Sequence, residues 1–277
     1  MSTDYVEVRA DADREPGLLA GPARRALLVV TPVVGFVVLV AVWWAIAAIG
    51  FSGRSYLVPG PPAVARAIGH NWWLLVRASW QTFVSAGLGY LLAIVLAVLT
   101  AMLMSASRFV GDAFYPVAVV FQTVPIIAMA PLLVLWFSYG RTSLVAVVLL
   151  ISFFPILSGA LAGLRQLHPN HVELFALYHA STARTLVKLR FPNALPSIFT
   201  GLRISAGLAI TGANVGEFLI GTGGPKAGLG TLIISSAANL QTPLLFGVAA
   251  CSVTLSVLFF LAVDAVGRRA LRRWTVS

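Results

Sequence analysis

Charge is what this sequence lacks most. Only 10% of its 277 residues are Asp, Glu, Lys or Arg, against about 25% in a water-soluble domain. Hydrophobic residues make up 59% and the mean hydropathy is +0.92, so lipid is the main solvent. The single cysteine, Cys251, excludes an intrachain disulfide framework and a Cys-based metal site. It sits in an apolar stretch and reads as a small core residue. GTGGPK (221–226) lacks the G-x-x-x-x-G-K-[ST] spacing of a phosphate loop, and no strand precedes it. An ATPase on this chain is therefore not expected. His168, His171 and His179 come without the carboxylates that would make a metal site, so no metal is expected either. No Ser/His/Asp arrangement is visible, so no catalytic residue is assigned.

The net charge of +10 does not point to nucleic acid. The basic residues stand at the ends of apolar runs, where membrane topology accounts for them. A helix needs about 20 residues to cross the hydrocarbon layer. Six runs qualify: 27–49, 80–104, 113–137, 143–164, 196–220 and 243–266. Backbone polar groups in lipid must bond within their own segment, so these runs are expected as helices. The expected fold class is all-α, a polytopic membrane protein with six transmembrane helices. With both termini in the cytoplasm, thirteen Lys and Arg fall inside and five outside, the bias that fixes orientation. The chain divides into a disordered cytoplasmic arm at 1–25 and a membrane domain at 26–277. Residues 61–77 read as a helix along the outer interface, with Val64, Ile68, Trp72 and Leu75 on one face. The Gly-rich stretch 221–242 reads as an outer loop with a half-buried helix.

The segment 165–195 is polar, basic and helical in period, yet lies between two apolar runs. Ser181 is a candidate N-cap. Two short helices joined near Ala180 would present Glu173, Ala176, Tyr178, His179 and Arg184 to a partner, or rest on headgroups.

In run 196–220, helical spacing puts Arg203, Gly207, Ile210, Asn214 and Glu217 on one line. A polar stripe is costly against lipid and should face protein or water. Gly201, Ser205, Gly212 and Gly216 fall on the other side, a small-residue stripe that lets a second helix approach. Arg203 and Glu217 are about 21 Å apart along the axis and cannot pair. Arg203 reads as snorkelling to the inner interface, and Glu217 as anchoring the outer loop, with Lys226 as its candidate partner. Asn214, Glu217 and Gln122, the last in the proline-bearing run 113–137, are candidate pathway residues. Asp264 and Arg268 make a local i, i+4 pair.

The segment after Gly163 resembles the signature of ABC importer permeases, E-A-A, three residues, Gly, nine residues, I-x-L-P. Glu173 takes the Glu position and Pro192 the final Pro. Leu189 and Phe191 replace Ile and Leu, Leu174 and Phe175 the two Ala, and His179 the Gly. FQTVPIIAMAPLLVLWFSYG (121–140), ISFFPILSGALAGL (151–164), PNALPSIFTGLRISAGLAITGANVGEFL (192–219) and GLGTLIISSAANLQTPLLF (228–246) are similar to the branch serving nitrate, sulfonate, taurine and thiamine- or riboflavin-precursor uptake. The resemblance implies a type I importer permease fold in the plasma (inner) membrane. It also implies a second, identical permease copy, a cytoplasmic ABC ATPase dimer holding ATP and Mg, and an extracytoplasmic substrate-binding protein. The chain itself would carry no cofactor and do no covalent chemistry. The alternative is a secondary transporter or channel driven by an ion gradient, which would show repeated halves or several intramembrane ionisable groups.

Overall fold

In the computed structural model the described residues are 22–50, 57–167, 169–221, 224 and 226–272. Every regular element among them is helical. The arm expected at 1–25 lies outside them as far as residue 21, and from Pro22 onward the chain is helix. The chain divides into two units, Met1–Pro62 and Ala63–Ser277. In the first, α1 (Pro22–Ala45) runs into a π-helical turn, Ile46–Gly50. Proline at the first helical position suits this start, because the N–H it lacks would have no partner there. Val37, Leu39 and Trp44 are exposed along α1, as expected of a helix whose solvent is lipid.

The second unit holds the rest, from Ala63 onward. One interfacial helix was expected at 61–77, but the structure breaks it. α2 (Pro61–His70) ends where the Asn71 side-chain amide donates to the Ala67 carbonyl at 2.9 Å. Trp72 then opens α3 (Trp72–Ala106), which contains the expected run 80–104. Val64 and Leu75 are buried, but Trp72 is 55% exposed. The four residues therefore do not share one buried face.

Run 113–137, expected as one span, is two helices. α4 (Arg108–Thr123) and α5 (Ile126–Phe137) are separated at Val124–Pro125. Pro125 has no N–H to continue the ladder and pushes the residue before it out of helical geometry. Sixteen residues of α4 span only about 24 Å. Among the described residues, four helices are each long and apolar enough to cross a bilayer by themselves: Trp72–Ala106, Arg141–Arg165, Thr182–Ile220 and Thr242–Arg272.

α6 (Arg141–Arg165) and α9 (Phe191–Ile220) form the central pair, with α3 against α6 and α11 (Thr242–Arg272) against α9. Lipid supplies no hydrophobic drive between helices, so close backbone approach must do the work. Gly201, Ser205, Gly212 and Gly216 are all buried, and the three glycines face α6. A Cβ on Gly201 would lie 2.7 Å from the Pro155 carbonyl oxygen, and one on Gly212 would lie 2.8 Å from Ile151. α3 carries its own small stripe, with Ala78, Thr82, Ala86, Gly89, Ala93, Ala97 and Ala101 all buried. Tyr90 fills the gap between α3, α9 and α11. Its hydroxyl donates to the Leu202 carbonyl at 2.7 Å and its ring meets Phe259 edge-on.

Arg203 does not reach the interface alone, as was expected. Its Nε lies 2.8 Å from Asp264 on α11, whose other oxygen takes Arg268 at 2.5 Å. The Arg203 Nε–H is not aimed along an acceptor, so the contact is an ion pair rather than a directed hydrogen bond. An aspartate between two arginines thus clamps α11 to α9.

Gly201→Val should force α6 and α9 apart and cost about 1–3 kcal/mol, read as a lower melting temperature in detergent. Gly207→Ala, where a Cβ meets nothing within 4 Å, should leave it unchanged. Equal melting of the two variants would contradict the assigned interface.

Candidate functional site

Both ends of α9 carry the groups of interest. At its N-terminal end lies the loop. α7 (Pro169–Leu177) is followed by a tight reversal and α8 (Thr182–Thr185). The reversal is a Schellman motif. The Ala180 N–H donates to the Phe175 carbonyl at 3.0 Å and the His179 N–H to the Ala176 carbonyl at 2.9 Å. This requires left-handed backbone at His179, whose φ is 47°. Glycine is preferred at that position because it has no Cβ to clash. Ser181 then caps α8, its Oγ accepting from the Arg184 N–H at 3.3 Å. Glu173, Ala176, Tyr178, His179 and Arg184 are exposed and Ala180 is half-buried. Val172, Leu174 and Leu177 are exposed too, Leu177 at 77%, so the loop presents an apolar as well as a polar surface.

Two contacts fasten this loop to the bundle. Arg190 donates from one guanidinium nitrogen to the Ser105 carbonyl at 2.6 Å and to its Oγ at 2.9 Å, at the end of α3. The Asn193 amide donates to the Gln166 carbonyl at 2.5 Å. Between α8 and α9 the helix widens into a π turn, Leu186–Arg190, closed by the Phe191 N–H on the Leu186 carbonyl. Pro192 has no N–H to offer the Lys188 carbonyl, which leaves room for the wider turn. π turns are found often at functional sites.

At the other end, Glu217 is 2% exposed. Its Oε2 accepts from the Thr82 hydroxyl and from the Gly230 N–H, both at 2.9 Å. The same Thr82 Oγ accepts from the Leu229 N–H at 2.9 Å. Glu217 and Thr82 together cap α10 (Leu229–Ala238), which no side chain of its own caps. Gly228 lies so close that a Cβ there would sit 2.1 Å from a Glu217 oxygen. The partners of the Glu217 carboxylate among the described residues are thus Thr82 and a backbone amide, not the Lys226 expected. Asn214, one turn deeper, is half-buried, and its Oδ1 is buried without a hydrogen-bond partner. Gln122 lies near the end of α4; its side chain is outside the described residues.

Thr82, Ser105 and Arg190 were not singled out from the sequence. Thr82 had a readable signal, since it interrupts an alanine and glycine stripe at helical spacing. Arg190 and Ser105 had none, being 85 residues apart. Among the described residues no group of three His, Cys, Asp or Glu side chains could hold a metal.

Glu217→Ala strands the Gly230 N–H and the Thr82 hydroxyl, at a cost of about 1–3 kcal/mol. Amide exchange at the start of α10 should therefore accelerate roughly tenfold or more, with a smaller effect for Glu217→Gln, which keeps an acceptor. Unchanged protection in Glu217→Ala would show that the carboxylate does not cap α10.

Comparison with known proteins agrees with this architecture. Residues 89–272 match the family model described as the binding-protein-dependent transport system inner membrane component. A probable ABC transporter permease protein of Haemophilus influenzae is 34% identical over 239 residues, 86% of this chain and 95% of that protein. The formylaminopyrimidine transport permease protein ThiX of Halalkalibacterium halodurans is 36% identical, over 88% of this chain and 94% of that one. The taurine transport system permease protein TauC of Escherichia coli is 30% identical, over 84% and 85%. Among solved structures, an inward-facing form of the MetNI methionine ABC transporter aligns with a TM-score of 0.63 at 18% identity. That alignment covers 72% of this chain and 97% of that one, and shows the shared fold. The chain is therefore a multi-pass inner-membrane permease of the ABC transporter class, a transport subunit rather than an enzyme, and belongs to the family of binding-protein-dependent transport system inner membrane components.

Proposed function

We propose that this chain forms the translocation path of an ATP-driven importer for a small solute, and that the 165–195 loop couples it to a cytoplasmic ATPase pair. The observation that carries the coupling role is the loop's construction. Two capped helices joined by a Schellman turn make a rigid projection whose outer face stays exposed, while Arg190 and Asn193 fasten its base to α3 and α6. A projection of that kind transmits a push, whereas a loose connector absorbs it. Loop motion reaches α9 through the π turn and α3 through Arg190, and α9 carries it about 39 Å, the rise from Phe191 to Glu217 at 1.5 Å per residue, to the Glu217 cap.

On this reading the loop lies in the cytosol, both termini are cytosolic and the Glu217 end faces outward. ATP and Mg are held by the partner ATPase. An extracytoplasmic binding protein delivers solute at the Glu217 end, and a second copy of the chain completes the pore. Asn214, half-buried one turn below the cap, is the α9 side chain assigned to the solute path. The uptake systems named for the relatives support a vitamin precursor, sulfonate or taurine, or nitrate as the solute class. An ion-gradient mechanism finds less support. Both charged groups deep in α9, Arg203 and Glu217, are tied into helix clamps or caps.

Charge reversal at Glu173 or Arg184 should leave insertion intact but uncouple ATP hydrolysis from solute, read as basal ATPase activity without stimulation or uptake in vesicles. Fully coupled uptake in both variants would count against the docking role. His179→Gly relieves left-handed strain of about 1 kcal/mol and should stiffen the α7–α8 turn while transport persists. Faster amide exchange at Tyr178–Ser181 in that variant would contradict the Schellman assignment.

A further inference from the structure

A cavity of about 370 Å³ opens beside the Glu217 cap, between α3, α6 and the approach to α10. Its size is at the low end of the roughly 300–1,000 Å³ typical of small-ligand pockets. Arg141, Lys226, Gln81, Tyr139 and Thr231 line it, with Glu217 in its wall. The charges are unevenly placed. Arg141 and Lys226 are exposed, whereas Glu217 is 2% exposed, with Oε2 taken by Thr82 and Gly230 and Gly228 pressed against the carboxylate. A solute entering the cavity thus meets two cations and a shielded acid. Arg141 is also held in place, its guanidinium donating to Gln81 Oε1 at 2.5 Å. A guanidinium fixed in this way loses less freedom when it binds a planar or tetrahedral oxyanion. The first turn of α6, which Arg141 opens, contains no acidic residue, and no side chain caps it. Its free amides add to the positive field.

We infer that this cavity is an acceptor site for a small oxyanion (a carboxylate, sulfonate or nitrate group of a free solute), occupied at the outer mouth before translocation. The inference rests on the importer reading for its orientation and deepens it by naming the chemistry of the first contact. The same chemistry would suit the phosphate of an anionic lipid, and the test separates the two sources.

Tyr139 is 72% exposed at the rim, so Tyr139→Cys in a Cys251→Ala background places one thiol at the cavity with both cations intact. The full chain is reconstituted in phosphatidylcholine vesicles without ATP. It is labelled with an anionic sulfonatoethyl and a cationic trimethylammonioethyl methanethiosulfonate, each normalised to its rate with a free thiol. The anionic reagent should react several-fold faster, and millimolar methanesulfonate should slow both. Adding Arg141→Gln and Lys226→Gln should bring the ratio to about one and abolish the protection. A ratio indifferent to losing both cations, or no protection by methanesulfonate, overturns the site. Protection by phosphatidylglycerol in the vesicles but not by methanesulfonate assigns the cavity to lipid and overturns the solute inference. The labelling involves no ATPase, so a failure of coupling leaves it unchanged and a failure here leaves the coupling reading standing.

Discussion

Close approach of α6 and α9 is the constraint on which the rest of the structure depends. Two helices in lipid gain nothing from excluding water, because there is none to exclude. They gain from dispersion contacts and from satisfied polar groups, and both require short distances. Gly201 against the Pro155 carbonyl gives α9 its short separation from α6. Given that separation, Tyr90 can reach the Leu202 carbonyl, Arg203 can reach Asp264, and Glu217 can reach Thr82. The Leu202 carbonyl, Arg203 and Glu217 of α9 are thereby paired across to α3, α10 or α11. The helix becomes a stiff rod with the polar 165–195 loop at one end and a buried carboxylate at the other. The π turn at Leu186–Arg190 joins that rod to the loop.

Much of this was legible in the sequence, and the reasons differ by residue. The small stripe of α9 could be read because helical period alone puts Gly201, Ser205, Gly212 and Gly216 on one face. The Ser181 cap was legible because capping is local. His179 looked like a departure from the family pattern, and the structure explains the pattern itself. The position after α7 must be left-handed, and His179 occupies it at a cost that glycine would not incur.

Two of the misses are non-local and two are local. Arg203 read as a snorkelling cation because its partner, Asp264, lies 61 residues away on another helix and had already been assigned to Arg268. Glu217 was read as an anchor for the outer loop, but its partner was sought at the nearby Lys226 rather than at Thr82, 135 residues distant. The run 113–137 has the length and hydropathy of a single span, and hydropathy does not register that Pro125 removes a backbone donor at mid-depth. The helix along 61–77 ends early for a reason as local as any cap, the Asn71 amide turning back on Ala67, and periodicity did not register it.

The central claim is that the 165–195 loop is a cytosolic lever seated on an ATP-consuming partner. Its most direct test is a photo-crosslinking residue in place of Tyr178, which is 77% exposed on the loop, in the assembled membrane complex. The account predicts crosslinks to a nucleotide-binding subunit, with yield that changes when ATP is added. Crosslinks to lipid alone, or labelling of Tyr178→Cys by an impermeant reagent from the outer side of intact cells, would contradict it.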